Sequence, residues 1–273
     1  IIKTMIDKVA EGTPYGDVTC DDGVRHVLWR CTAEESTAFQ AEFDKVPSLY
    51  IADGHHRTQA AYNVGKLRRE RHLAAGNEYT GEEPFNFFMT LFYPADNLCI
   101  LDYNRVLKEL PCPEEEFISK LSEHFEISPL EGGDTKPAGL HKFTLLIGGK
   151  WHHMDLKASS LDESTPTSKL DSQILNDLVF TPICGITDLK KDSRIDFVGG
   201  IRGHKELERR CATDCKAAIA MNPCSLDELM DVADACLIMP PKSTWFEPKP
   251  RSGFVVRCFE GESVLMDSIM GTK

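Results

Sequence analysis

Apolar residues recur along this chain with a period near two in some stretches and near 3.6 in others, and the switches mark its elements. Residues 1–12 read as the end of a helix. Tyr15 to Trp29 alternates about Asp22-Gly23, which predicts a β-hairpin closed by a positive-φ turn. Thr32-Ala-Glu-Glu35 is a capping box and predicts a helix from about residue 33 to Asp44. Leu49 to Ala52 is a short apolar run that reads as a buried strand. Behind Asp53-Gly54, Ala60, Ala61, Val64 and Leu67 fall at helical spacing. Asn86 to Tyr93 is strongly strand-like, with Leu98 to Leu101 as its expected partner across a Pro-Ala-Asp-Asn turn. A short helix is expected over Tyr103 to Leu110, and Pro113 followed by Glu114, Glu115 and Glu116 opens another.

Beyond a polar stretch from Glu131 to Pro137, Lys142 to Ile147 and Trp151 to Leu156 flank a Gly-Gly-Lys turn and predict a second hairpin. His152 and His153 point to opposite faces of its strand, so they cannot chelate one ion together. Ile174, Leu175 and Leu178 mark a helix. Ser193 to Gly203 is a strand running into a glycine-rich turn, with a helix from about His204 to Arg210. Lys216 to Met221 reads as a strand, and Ser225-Leu-Asp-Glu228 is a second capping box. A loop stiffened by four prolines, Met239 to Gly253, leads to a last strand over Phe254 to Cys258, and residues 261–273 form a tail. Together these elements predict an α+β fold, a mixed sheet with flanking helices, in one continuous domain over residues 1–260.

Strand, Asp-Gly turn, helix: that order puts His55, His56 and Arg57 at a helix mouth. The first N–H groups of a helix have no internal partner and carry partial positive charge, which suits an anion. Arg57 adds a planar fork for phosphate oxygens, and the histidines can donate further hydrogen bonds. An incidental surface turn is the alternative. The turn at Gly199, Gly200 and Gly203 repeats the logic with Arg202 as its fork, and a plain strand–helix connection is the alternative there. Lys242, Ser243, Thr244, Lys249 and Arg251 make the proline-rich loop a candidate second wall for a polyanion site, or an ordered surface connection.

Composition narrows the partners. The chain has 41% hydrophobic and 27% charged residues and a net charge of −12, from 31 basic and 43 acidic side chains. A duplex-binding protein is expected to show a basic surplus or stripe. The one basic run, Lys66 to His72, reads as a solvated helix face, so no nucleic-acid partner is expected. Neither a membrane span nor a signal peptide is visible. The ten cysteines are scattered without a Cys-x-x-Cys, which fits free thiols in a reducing cytoplasm. The chain opens at Ile1-Ile2-Lys3, which reads as the inside of a helix, so further residues are expected upstream.

Three stretches, Ile51-Ala-Asp-Gly-His-His-Arg57, Arg194-Ile-Asp-Phe-Val-Gly-Gly-Ile-Arg202 and Met239-Pro-Pro-Lys-Ser-Thr-Trp-Phe-Glu-Pro-Lys249 with Arg251-Ser-Gly253, together resemble a family described as a domain of unknown function. Some of its members are pyrophosphate-dependent free serine kinases. The Asp-Gly-His-x-Arg turn also resembles the phosphate-binding turn of the ParB/sulfiredoxin fold. The resemblance implies transfer of a phosphoryl group to the hydroxyl of free L-serine, with pyrophosphate or ADP as donor and Mg²⁺ as cofactor. It implies Asp53 as the metal or acceptor-positioning carboxylate and His56 as its catalytic companion. His55, His56 and Arg57 then hold donor phosphates, with Arg202, Lys242, Ser243, Thr244 and Lys249 closing over them. The family's Ala-Pro-Pro-Tyr-Asp-like motif and catalytic glutamate are not found here, so the general base is expected in the upstream part.

Two rival readings use the same residues. One is a non-enzymatic, ParB-like nucleotide-binding or regulatory module. The acidic balance and the lack of a basic recognition helix count against its acting on duplex DNA. The other is a phosphohydrolase, with water in place of serine.

Overall fold

The computed structural model describes residues 1–257; Cys258 and the tail expected at 261–273 lie outside them. The sequence reads as a single domain over 1–260; the backbone clusters into two compact units, Ile1–Gln59 and the chain from Ala60 onward.

The first unit holds α1 (Ile2–Ala10), a hairpin of β1 (Gly16–Thr19) and β2 (Arg25–Leu28), α2 (Ala33–Phe43) and the opening turn of α3 (His55–Ala74). The hairpin turns at Gly23, at φ 78°. Arg25 braces it by donating to both oxygens of Asp17 at 2.8 and 2.6 Å. The capping box forms as read: the Glu35 N–H donates to Thr32 Oγ1 at 3.2 Å, and Glu35 Oε2 accepts from the Thr32 N–H at 2.8 Å. Leu49 to Ala52, however, is not a strand. Leu49, Tyr50 and Ile51 are exposed in irregular backbone. An apolar run makes a strand only where a ladder partner takes its hydrogen bonds, and no strand pairs with it among the described residues.

The second unit contains the remainder of α3, then β3 (Cys99–Leu101), β4 (Tyr103–Leu107), α4 (Glu114–Leu121), β5 (Phe125–Pro129), β6 (Lys142–Ile147), β7 (Lys150–Leu156) and α5 (Asp171–Leu175). A turn of π-helix extends α5 over Asn176–Phe180. Then come β8 (Ile195–Gly199), α6 (His204–Thr213), β9 (Ala217–Ala220), α7 (Leu226–Asp234) and β10 (Trp245–Glu247). Asn86 to Tyr93 is no strand, against expectation: Asn86 closes a 3-10 turn over Pro84–Asn86, the rest is irregular, and Phe87, Phe88, Met89, Leu91 and Phe92 are exposed. β3 pairs instead with β10, inside the loop that the prolines mark. Phe254 to Arg257 is likewise irregular rather than a last strand.

The main sheet runs β5-β7-β6-β9-β4-β8, with every ladder antiparallel. β4 is the largest correction: Tyr103 to Leu107 was expected to be helical and is instead a strand hemmed in by β9 and β8. A strand buried on both faces loses the period-two signature, so its sequence does not declare it. Leu107, Leu145 and Ile219 face one layer with Phe117, Leu121, Leu175 and Phe180 from the helices. Val106, Leu146, Ala218 and Ala220 face the other, under Leu207 of α6. Among the described residues, no helix is long and apolar enough to cross a membrane.

Candidate functional site

In the first unit the Asp53-Gly54 turn delivers the chain into α3. Gly54 sits at φ 86°, a region that side chains disfavour. Asp53 Oδ1 accepts from the Gly54 N–H at 2.7 Å. His55, His56 and Arg57 fill the first helical turn and all are exposed. The Arg57 side chain is 80% exposed, and its Nη2 lies 3.9 Å from Asp53 Oδ2. Three side-chain donors therefore surround the positive end of a twenty-residue helix. Asp53 fits a metal only as a lone carboxylate, since no group of three or more His, Cys, Asp or Glu suited to an ion occurs among the described residues. One carboxylate is enough for Mg²⁺ when phosphate oxygens and waters supply its other ligands.

In the second unit the glycine turn after β8 and the proline-rich loop meet at one end of the main sheet. Trp245 lies against Gly199, where a Cβ would come within 2.5 Å of the indole. The Trp245 and Tyr103 rings meet edge-on at 5.5 Å. Lys242 Nζ lies 5.6 Å above the Tyr103 ring, and Lys249 Nζ lies 4.9 Å above Trp245 and donates to the Phe246 carbonyl at 3.2 Å. Arg202 is exposed in the turn Gly200–Arg202, and Thr244 is half-buried. Ser243 is turned inward: its hydroxyl is buried, 2.8 Å from the Ser172 hydroxyl, and donates to the Pro240 carbonyl at 2.8 Å. Two ammonium groups thus lie on aromatic faces beside a glycine-lined turn.

Several ionisable groups in this unit lie outside the candidate residues read from the sequence. The Asp102 carboxylate accepts from Asn104 Nδ2 and lies 4.0 Å from His204 Nε2. His204 opens α6, pairs through Nδ1 with the Thr135 hydroxyl at 2.8 Å and stacks on Trp151. Burial pushes its pKa below the usual imidazole value, which Asp102 opposes. Arg105 is wholly buried over the Phe197 ring, donates to the Tyr103 carbonyl, and is pushed down to about 9 by burial. Its Nε and Nη2 have no hydrogen-bond partner among the described residues. A run of Asp, Asn and Arg within an otherwise apolar stretch is the one cue that could have drawn attention to 102–105.

The family model described as "Protein of unknown function (DUF1015)" matches residues 1–173. No curated protein matches the chain. Among solved structures, a free serine kinase in complex with AMP is similar at 15% identity and TM-score 0.40, over 80% of this chain and 81% of that one. A mutant of a free serine kinase in complex with ADP is similar at 16% identity and TM-score 0.40, again over 80% and 81%. A conserved hypothetical protein from Pyrococcus furiosus is similar at 16% identity and TM-score 0.37, over 74% of this chain and 72% of that one.

Proposed function

The chain belongs to the DUF1015 family of proteins of unknown function, and from that premise we propose that it is a small-molecule phosphotransferase that converts free L-serine to O-phosphoserine. Pyrophosphate is the preferred donor and ADP the alternative. The observation that carries this reading is the mouth of α3, where His55, His56 and Arg57 stand exposed behind a left-handed glycine, at the helix end whose N–H groups have no partner within the helix. The three motifs that resemble those of the family's serine kinases add the reaction class.

Phosphoryl transfer demands positioning and charge neutralisation more than covalent help from the protein. In this reading the serine hydroxyl oxygen attacks one phosphorus of pyrophosphate, an O–P bond forms as the bridging P–O bond breaks, and the hydroxyl proton leaves on the departing orthophosphate. His55, His56 and Arg57 donate to donor oxygens. In the second unit Lys242, Lys249 and Arg202, with Thr244 in the same loop, are assigned to phosphate charge; the Ser243 hydroxyl, turned inward, is not. Asp53 would hold Mg²⁺, whose charge would offset that of the donor. ³¹P NMR of the protein with Mg²⁺, L-serine and pyrophosphate should show phosphoserine, and His56→Ala should cut its rate strongly. Absence of product with pyrophosphate, ADP and ATP alike would remove the assignment.

A further inference from the structure

A small cavity lies in the second unit between the start of α5, the start of α7 and the loop before β10. Its wall includes Asp171, Ser172, Asn222, Cys224, Glu228 and Ser243. Its volume is about 10 Å³, room for one group the size of a water molecule. Two carboxylates line it, and no lysine, arginine or histidine does.

Asp171 is the informative member. It is only 6% exposed, and its two oxygens are treated differently. Oδ1 accepts from the His141 N–H and from His141 Nδ1, both at 3.0 Å. Oδ2 is buried and has no hydrogen-bond partner among the described residues. Leaving a buried carboxylate oxygen unpaired costs about 1–3 kcal/mol or more, so the fold tolerates a deficit at this atom. His141 holds Asp171 from φ 61°, and Lys242, next to Ser243, sits at φ 60°. A non-glycine residue in that region costs roughly 1–2 kcal/mol, and such strain concentrates where a ligand is clamped. Nearby, the Cys224 thiol is pushed up to about 12, by burial first and then by the charges of Glu228 and Asp171.

We infer that this cavity seats a primary ammonium group, the α-ammonium of the amino-acid acceptor. An –NH₃⁺ head has three donors and one positive charge, which answers the unpaired Asp171 oxygen, the Glu228 carboxylate and the hydroxyl pair of Ser172 and Ser243 together. A water molecule would satisfy hydrogen bonds, but burial holds the Asp171 carboxyl above the usual carboxylate range, against the pull of His141, and only a cation offsets that burial in the ionised form. Mg²⁺ or Ca²⁺ takes six or more ligands; Asp171 Oδ1 and Glu228 Oε2 are already engaged by His141 and Ser225, and about 10 Å³ leaves no room for waters to complete the shell. The inference rests on the phosphotransferase reading for the identity of the rest of the ligand: the head enters the cavity, and the hydroxymethyl arm stays outside.

Calorimetric titration of the whole chain with L-serine, with ethanolamine, which keeps the ammonium, and with 3-hydroxypropionate, which lacks it, tests the assignment. L-Serine and ethanolamine should bind, 3-hydroxypropionate at least tenfold more weakly, and Asp171→Asn should weaken L-serine at least tenfold. Circular dichroism checks that the variant folds. Should it not, Ser172→Ala and the ligand series on the unaltered protein decide. Equal binding of L-serine and 3-hydroxypropionate, unchanged L-serine binding by Asp171→Asn, or no binding of either amine, leaving water alone in the cavity, would overturn the inference. Phosphoserine formation is followed in parallel: transfer with Asp171-independent binding sinks the ammonium seat alone, and Asp171-dependent binding without transfer from any donor sinks the kinase alone.

Discussion

Gly200 and Asp102 compete for the same space: a Cβ on the glycine would collide with the Asp102 carboxylate, whose own carbonyl accepts from the Gly200 N–H at 2.8 Å. The backbone of the glycine turn is thereby pinned to the residue that leads into β4. Gly200→Ala should force the carboxylate away from Asn104 and His204, at about 1–3 kcal/mol as for other overpacked sites. Urea unfolding measures the loss; a change below 0.5 kcal/mol would mean that the turn yields freely.

The same neighbourhood sets a pH dependence. The folded-state pKa of His204 is held below its ordinary value of 6.5, chiefly by burial, so the unfolded chain binds the proton more readily. Its contribution to stability is therefore complete above the unfolded pKa and is lost as pH falls through that value toward the folded pKa. Unfolding free energies at pH 7.5 and 5.5 should differ less in His204→Gln than in the unaltered protein, and an identical slope would refute this.

Arg210 ties the end of α6 to the sheet. Its Nε donates to Asp214 at 2.8 Å and its Nη2 to Asp196 at 2.9 Å, while the Arg210 side chain is only 10% exposed. Breaking a fully buried pair costs about 3–5 kcal/mol, but Asp196 and Asp214 are 43% and 48% exposed and regain water when the arginine goes. Arg210→Ala should therefore cost about 2 kcal/mol, read from the denaturant midpoint at constant slope.

Arg57→Ala separates chemistry from stability. With its side chain 80% exposed, the arginine contributes almost nothing to folding, so the melting temperature should stay within a degree or two. If it holds donor phosphate, phosphoserine formation should fall about 10²-fold, the usual cost of one preorganised donor. Equal rates for the two proteins would strike Arg57 from the site.

What the sequence made legible is what neighbouring residues decide. Both capping boxes form, because Thr32 with Glu35 and Ser225 with Glu228 close within one helical turn. The Asp22-Gly23 and Gly148-Gly149 turns sit where positive-φ glycines place them. Pairing across distance was not legible. Nothing near Tyr103 announces that its strand will lie between residues 195–199 and 217–219, and Trp245 gives no hint of its ladder with Leu101. Asp171 and His141 stand thirty residues apart and look unremarkable separately. The run of His55, His56 and Arg57 behind Asp53-Gly54 could be seen along the chain, whereas the acidic cavity exists only after α5, α7 and the loop before β10 assemble.

β4 has one further consequence, for the order in which the polypeptide is made. Its Tyr103–Leu107 backbone leaves the ribosome long before its partners at Ile195–Gly199 and Ala217–Ala220 exist, so its hydrogen-bonding edges wait through most of the elongation of the second unit. A nascent segment of that kind is open to pairing with other chains, and sheet closure must follow the arrival of β9. Any truncation short of Ala220 should therefore yield insoluble material, however intact the helix mouth upstream.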